Sequence, residues 1–179
     1  MKKKYALEEH ERRFLCTLPD SLPTSFRKIH DLYLDSTRLR LREVFSSSGS
    51  LIERKLTQKV QERGKIFVTN TYLDSKEFQK LSAIEGNHLR KNRYTIERTG
   101  NVWAVDVFRG HLEGLILAEF EAGSEEEIYE IDLPEFVVEE VTHDDFFTGG
   151  HLVKINRLEL EKKIAQPGSS YNSGQSLRD

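Results

Sequence analysis

Apolar and polar positions alternate with a period of two along most of the first two-thirds of this chain, and strands are the elements that such a period predicts. The predicted strands cover residues 5–16, 38–45 (RLRLREVF), 51–60 (LIERKLTQKV), 65–73, 90–98, 102–109, 115–122 (LILAEFEA) and 136–142 (FVVEEVT). Turn chemistry separates them. The run from Ser46 to Ser50 contains Gly49, Gly64 bounds the fourth strand, and Thr99-Gly100-Asn101 divides the fifth from the sixth. Hairpins dominate the connections, which excludes a parallel βαβ arrangement and points to an antiparallel sheet or barrel.

Helical signals are few. Asp74 and Glu77 form a capping box ahead of Phe78, Leu81 and Ile84, with Gly86 read as the closing glycine. Ser124 with Glu127 predicts a short acidic helix over 124–131. Residues 20–30 are read as a short helix after Pro19, and 151–165 as a terminal one. From Pro167 the chain is mostly Gly, Ser, Asn and Gln, so 1–165 is expected to be one domain and 166–179 a disordered tail.

The alternation has an unusual content. Glu9, Glu11 and Arg13 share one face of their strand, as do Arg38, Arg40 and Arg42, then Lys55, Thr57 and Lys59, then Lys91 and Arg93, then Glu119 and Glu121. On any single strand this is what a solvated outer face looks like. Taken together the signs segregate by strand, and like charges on one face repel unless something between the strands supplies the missing partner. An interior that holds a polyanion and hard cations would do so, with Arg and Lys on the anion and carboxylates on the cation.

The order of short motifs resembles one family. Glu9-His10-Glu11-Arg12-Arg13-Phe14-Leu15 is similar to the Glu-x-Glu-x-Lys signature of the CYTH superfamily, the triphosphate tunnel metalloenzymes. Tyr33-Leu34 followed by Arg38 to Arg42, Leu56-Thr57-Gln58-Lys59, Lys91-Asn92-Arg93-Tyr94, the strand from Trp103 to Gly110, Ala118-Glu119-Phe120-Glu121 and Glu140-Val141-Thr142-His143-Asp144 resemble its later elements in the same order. The resemblance implies a mainly β fold: an antiparallel barrel of eight strands around a charged tunnel, with a few peripheral helices. It also implies metal-dependent hydrolysis of inorganic triphosphate or of a nucleoside or organic triphosphate, with Mg²⁺ or Mn²⁺ as cofactor.

Carried onto this sequence, the resemblance makes Glu9, Glu11 and Arg13 the catalytic residues. It puts Arg13, Arg38, Arg40, Arg42, Lys55, Lys59, Lys91 and Arg93 on the substrate, and Glu9, Glu11, Asp106, Glu119 and Glu121 on the metal. Two departures stand out. The signature lysine is Arg13, a planar fork rather than a mobile ammonium. The strand 67–73 carries no Glu-x-Glu pair in either register, presenting Val68 and Asn70 or else Thr69 and Thr71. One metal is still accommodated, because Mg²⁺ needs only one or two carboxylates besides phosphate. The residues are also compatible with a non-catalytic polyphosphate- or nucleotide-binding module and with adenylyl cyclase on the same scaffold. The particular triphosphate and the oligomeric state are left open.

Composition adds limits. The 179 residues are 32% charged yet carry a net charge of only -3, so no nucleic-acid footprint is expected. Cys16 is the single cysteine, read as a buried small hydrophobe, which favours a reducing compartment. With no long apolar run and no hydrophobic stretch after Met1-Lys2-Lys3-Lys4, the expectation is a cytoplasmic protein without a membrane partner.

Overall fold

A strand with one charged and one apolar face must separate the two, and this chain does so by closing the sheet on itself. The computed structural model describes residues 4–165. In chain order the elements are β1 Leu7–Cys16, β2 Arg27–Leu34, β3 Leu39–Ser46, β4 Leu51–Glu62, β5 Lys65–Tyr72, α1 Ser75–Leu81, β6 Gly86–Arg98, β7 Asn101–Arg109, β8 Ile116–Ala122, β9 Val137–Glu140, α2 Gly149–Leu152 and α3 Arg157–Ile164. The strands run β5-β4-β3-β2-β6-β7-β8-β1-β9, and pairing of β5 with β1 closes the first eight into an antiparallel barrel. Closure leaves no free edge in the ring. β9 lies outside it, against the later part of β1.

Register carries one face consistently around the ring. Glu11 lies opposite Glu121, Arg13 opposite Glu119, Arg93 opposite Asp106, Arg42 opposite Asp31 and Lys55, and Arg40 opposite Tyr33 and Thr57. These residues form the inner face. Phe14, Tyr94, Trp103, Val105, Ala118 and Phe120 sit on the outer face, buried under Leu22, Phe26, Ile128 and Phe136 of the covering loops. A second outer cluster, Leu32, Leu34 and Leu41, is covered by Phe78 and Leu81 of α1. A third cluster joins the inward Leu15, Leu89, Phe108 and Leu117 to Phe147, Leu152, Val153, Leu160 and Ile164, so the C-terminal segment packs on the apolar part of the interior. The barrel is thus held by apolar layers outside its charged lumen, each fully buried large side chain contributing about 1.5–3 kcal/mol.

Local chemistry explains the turns. Arg63-Gly64 and Thr99-Gly100 both have positive φ at each position (53° and 79°, 52° and 77°), the backbone that two-residue hairpins require. Asp74 caps α1 by accepting from the amides of Lys76 and Glu77, each at 2.8 Å, as its capping box predicts. Cys16 is fully buried, and burial pushes its thiol up to about 12. Among the described residues no helix is long and apolar enough to cross a membrane.

Four expectations are corrected. Residues 27–34, partly read as helix, are strand β2, with Ile29, Asp31 and Tyr33 on the inner face and His30, Leu32 and Leu34 outside. Polar and apolar residues occur on both faces, which cancels the period-two signal. The 124–131 helix is a series of turns: Ser124 Oγ accepts from Glu127 N at 3.2 Å, but no helix propagates from this cap. Glu126 and Glu130 would stand as like charges one turn apart, and Pro134 follows. The terminal helix is two, α2 and α3, the latter starting afresh on an Asn156–Glu159 capping box. Gly86 does not close α1, which ends at Leu81, but starts β6. The segment 166–179, read as a tail, lies outside the described residues.

Gly86 has its own reason to be glycine. A Cβ there would stand 2.3 Å from the carbonyl oxygen of Tyr33 and 2.9 Å from Leu32 Cδ1. Backbone cannot yield as a flexible side chain can, so Gly86→Ala is expected to destabilise the fold by about 1–3 kcal/mol, measured by urea or thermal denaturation. An unchanged midpoint would show that β2 and β6 can separate there without cost.

Candidate active site

The inner face encloses a cavity of about 1290 Å³. Eight of the residues expected at the site line it: Glu9, Glu11, Arg13, Arg38, Arg40, Lys59, Lys91 and Glu119. They come from five strands or their ends, which is why no single stretch of sequence carries the site. Asp31, Tyr33 and Thr57 also line it. Asp31 was missed, and Tyr33 was noted only as part of a motif, because the first half of their strand, up to residue 30, was read as helix; their spacing of two is the signal that would have placed both on the inner face.

The charges form a continuous alternating network. Lys59 Nζ donates to Glu9 Oε2 and lies 3.5 Å from Glu11 Oε2. Arg13 Nη2 donates to Glu11, and its Nε lies 3.7 Å from Glu119. Arg93 donates to Glu119 and forks onto Asp106 at 2.7 and 2.6 Å, and Lys91 donates to Asp106 from the other side. A separate pair sits on β2 and β3, where Arg42 forks onto Asp31 at 2.6 and 2.7 Å.

These partners set the protonation states. Burial alone would raise Glu119, but Arg93, then Lys91 and Arg13, hold it well below the usual carboxylate range. Glu11 is held above that range, chiefly by burial and then by the charge of Glu119, against Lys59 and Arg13. Burial pushes the Lys91 ammonium down, with Asp106 opposing. For Arg40, burial opposes the charge, and Asp31 outweighs it.

Five expected residues do not line the cavity. Asp106 has no exposed surface and is taken up by Lys91 and Arg93, so as placed it is a counter-ion rather than a metal ligand. Arg93 is spent on Asp106 and Glu119. Arg42 is buried on Asp31. Lys55 pairs with Glu53 at 2.9 Å. Glu121 shares the inner face with Glu119 but is solvent-exposed near the end of β8 and apart from the cavity. In β5 the register selects Val68 and Asn70 for the interior, and Asn70 Oδ1 accepts from Thr57 Oγ1 at 2.7 Å, so this strand offers no carboxylate. Asp144 caps a turn, accepting from Phe146 N at 3.0 Å.

Arg40 differs from the other cations. Its Nε is buried without a hydrogen-bond partner, and its nearest acid, Asp31, stands 3.8 Å away and is committed to Arg42. A buried guanidinium nitrogen without a partner is costly, and an anion in the cavity would satisfy it. The donor set also suits a hard cation, since Glu9, Glu11 and Glu119 put carboxylate oxygens on the cavity. Among the described residues no three His, Cys, Asp or Glu side chains converge into a ready-made cage. Mg²⁺ takes only one or two carboxylates from a protein and completes its shell with phosphate and water, so these acids would suffice for it.

A closed antiparallel barrel whose lumen pairs carboxylates with arginines and lysines is a charged tunnel. No family model matches the chain. Known proteins do. It is 31% identical over 150 residues to an inorganic triphosphatase of Nitrosomonas europaea, covering 77% of this chain and 91% of that one. It is 36% identical over 66 residues to an inorganic triphosphatase of Acetivibrio thermocellus, a match to 37% of this chain and 41% of that enzyme's length. A crystal structure of the inorganic triphosphatase NE1496 superposes with a TM-score of 0.55 at 27% identity, over 81% of this chain and 93% of that one. The chain belongs to the CYTH superfamily of triphosphate tunnel enzymes.

Proposed function

We propose that this protein hydrolyses the terminal anhydride of a triphosphate in the barrel cavity, with a divalent cation, Mg²⁺ or Mn²⁺, as cofactor. The observation that carries the reading is the arrangement of Arg40, a half-buried cation whose Nε is buried without a hydrogen-bond partner, in one cavity with the carboxylates of Glu9, Glu11 and Glu119. Similarity to two inorganic triphosphatases supports it.

Arg40, with Arg38 at the turn before β3, binds phosphate oxygens, and Lys59 and Lys91 add positive charge along the chain of anhydrides. Arg13 stays between Glu11 and Glu119 and fixes the two acids relative to each other. Glu9, Glu11 and Glu119 would hold the cation, which when bound supplies neutralisation of the charge developing on the transferred phosphoryl group. Water held by a cavity carboxylate attacks the terminal phosphorus and gives up a proton to that carboxylate. The bond to the bridging oxygen breaks, orthophosphate forms, and the shortened polyphosphate leaves with the electron pair of that bond. No covalent intermediate is required.

A phosphate-release assay with inorganic triphosphate, ATP and thiamine triphosphate, each with Mg²⁺ and with Mn²⁺, tests this. Release above background with at least one substrate is expected, falling to background on metal removal with EDTA and returning on re-addition. Tight triphosphate binding without release would make the protein a binding module, and cyclic AMP with pyrophosphate from ATP would make it a cyclase.

A further inference from the structure

Lys59 is held differently from its neighbours. Its single ammonium donates to Glu9 and lies 3.5 Å from Glu11, so one positive charge sits between two of the three acids assigned to the cation. Arg13 is gripped from both sides by Glu11 and Glu119, and Lys91 is buried on Asp106. Lys59 is 39% exposed on a flexible four-carbon stem, and the residue opposite it on β5 is Val68, which offers it no polar contact. Among the cations that contact Glu9, Glu11 and Glu119 it is therefore the one most able to change partners.

We propose that Lys59 is an exchangeable counter-ion: in the metal-free protein its ammonium takes the place between Glu9 and Glu11 that a divalent cation takes in the loaded one, and it then turns to the triphosphate. This rests on the reading of Glu9 and Glu11 as cation-facing acids. The exchange keeps the cavity close to neutral in both states, avoiding unpaired buried carboxylates in one and an excess of positive charge in the other. It also couples the two ligands. Lys59 cannot neutralise the carboxylates and the phosphates together, so each ligand favours the arrangement that receives the other. An arginine at this position would hold both acids through its fork and release them less readily.

The test is binding of Mn²⁺ alone, followed by the electron paramagnetic resonance signal of the free ion, to wild type and to Lys59→Gln. The variant is expected to bind Mn²⁺ at least about tenfold more tightly, because a competing charge within about 4 Å of the acids is gone. Equal or weaker binding overturns the proposal. Should the variant not fold, acylation footprinting of the wild-type protein decides: Mg²⁺ is expected to raise the modification rate of Lys59 several-fold relative to the exposed Lys162, and an unchanged rate overturns the proposal. Phosphate release by the wild type separates the two readings. Metal-dependent release with unchanged Mn²⁺ affinity in Lys59→Gln overturns the counter-ion role alone, whereas no release with any metal or triphosphate overturns the assignment of the site as well.

Discussion

Arg40→Met is expected to lower kcat/KM for triphosphate hydrolysis by about 10²–10³-fold, the loss seen when one preorganised electrostatic partner of a transition state is removed. The same substitution should cost only about 1 kcal/mol of stability. The contrast follows from one arrangement. Asp31 favours the Arg40 charge from 3.8 Å, but Arg40 Nε has no hydrogen-bond partner and that carboxylate is hydrogen-bonded to Arg42, so the fold gains less from Arg40 than the site does. Methionine keeps the apolar stem against the Tyr33 ring, which lies 6.0 Å from the guanidinium carbon. Steady-state kinetics with the preferred triphosphate, beside thermal denaturation of both proteins, gives the comparison. A variant with full activity, or one that loses stability by several kcal/mol, would show that Arg40 belongs to the scaffold.

The distinction between scaffold and site is also where reading the sequence reached its limit. Same-face spacing identified the inner face of β1, β3, β4, β6 and β8, because a strand's parity is local and survives folding. It could not tell which inward charges meet the cavity and which meet each other. Asp106 and Arg93 are two strands' contributions to one buried ion pair, set by the β6–β7 register rather than by either strand. Glu121 has the right parity but stands too near the strand end. Both Val68 and Thr69 were open as inward residues of β5 until pairing with β4 chose Val68. β2 escaped because Asp31 sits between Ile29 and Tyr33 on the inner face while His30 sits among leucines outside. Its acid is nevertheless what separates Arg42, which it holds by two hydrogen bonds, from Arg40, which it faces at 3.8 Å without one.

Asp31→Asn tests that division and is expected to destabilise the protein by about 3–5 kcal/mol at pH 7, since it leaves the buried Arg42 guanidinium without its counter-charge. Asp31 is 2% exposed and Arg42 8%. Against a total stability of about 5–15 kcal/mol this is a large fraction, and a melting-point drop on the order of 10 °C should accompany it. The pH dependence supplies a second, independent signature. Burial would raise the Asp31 carboxyl, but Arg42 and then Arg40 bring it down from 3.8 to about 2. A carboxyl depressed by folding stabilises the native state above its unfolded value and loses that contribution as pH falls through the folded one, here between about pH 4 and pH 2. The difference amounts to about 2 kcal/mol. Urea denaturation of wild type and variant from pH 7 to pH 2 should therefore give two curves that are far apart at neutral pH and draw closer by up to about 2 kcal/mol in that window. In Asp31→Asn/Arg42→Met, where neither charge remains, much of the loss should be recovered, because no uncompensated charge stays buried. A gap between the curves that stays constant down to pH 2, or a double variant no better than the single, would mean that Asp31 holds the barrel by something other than its charge on Arg42.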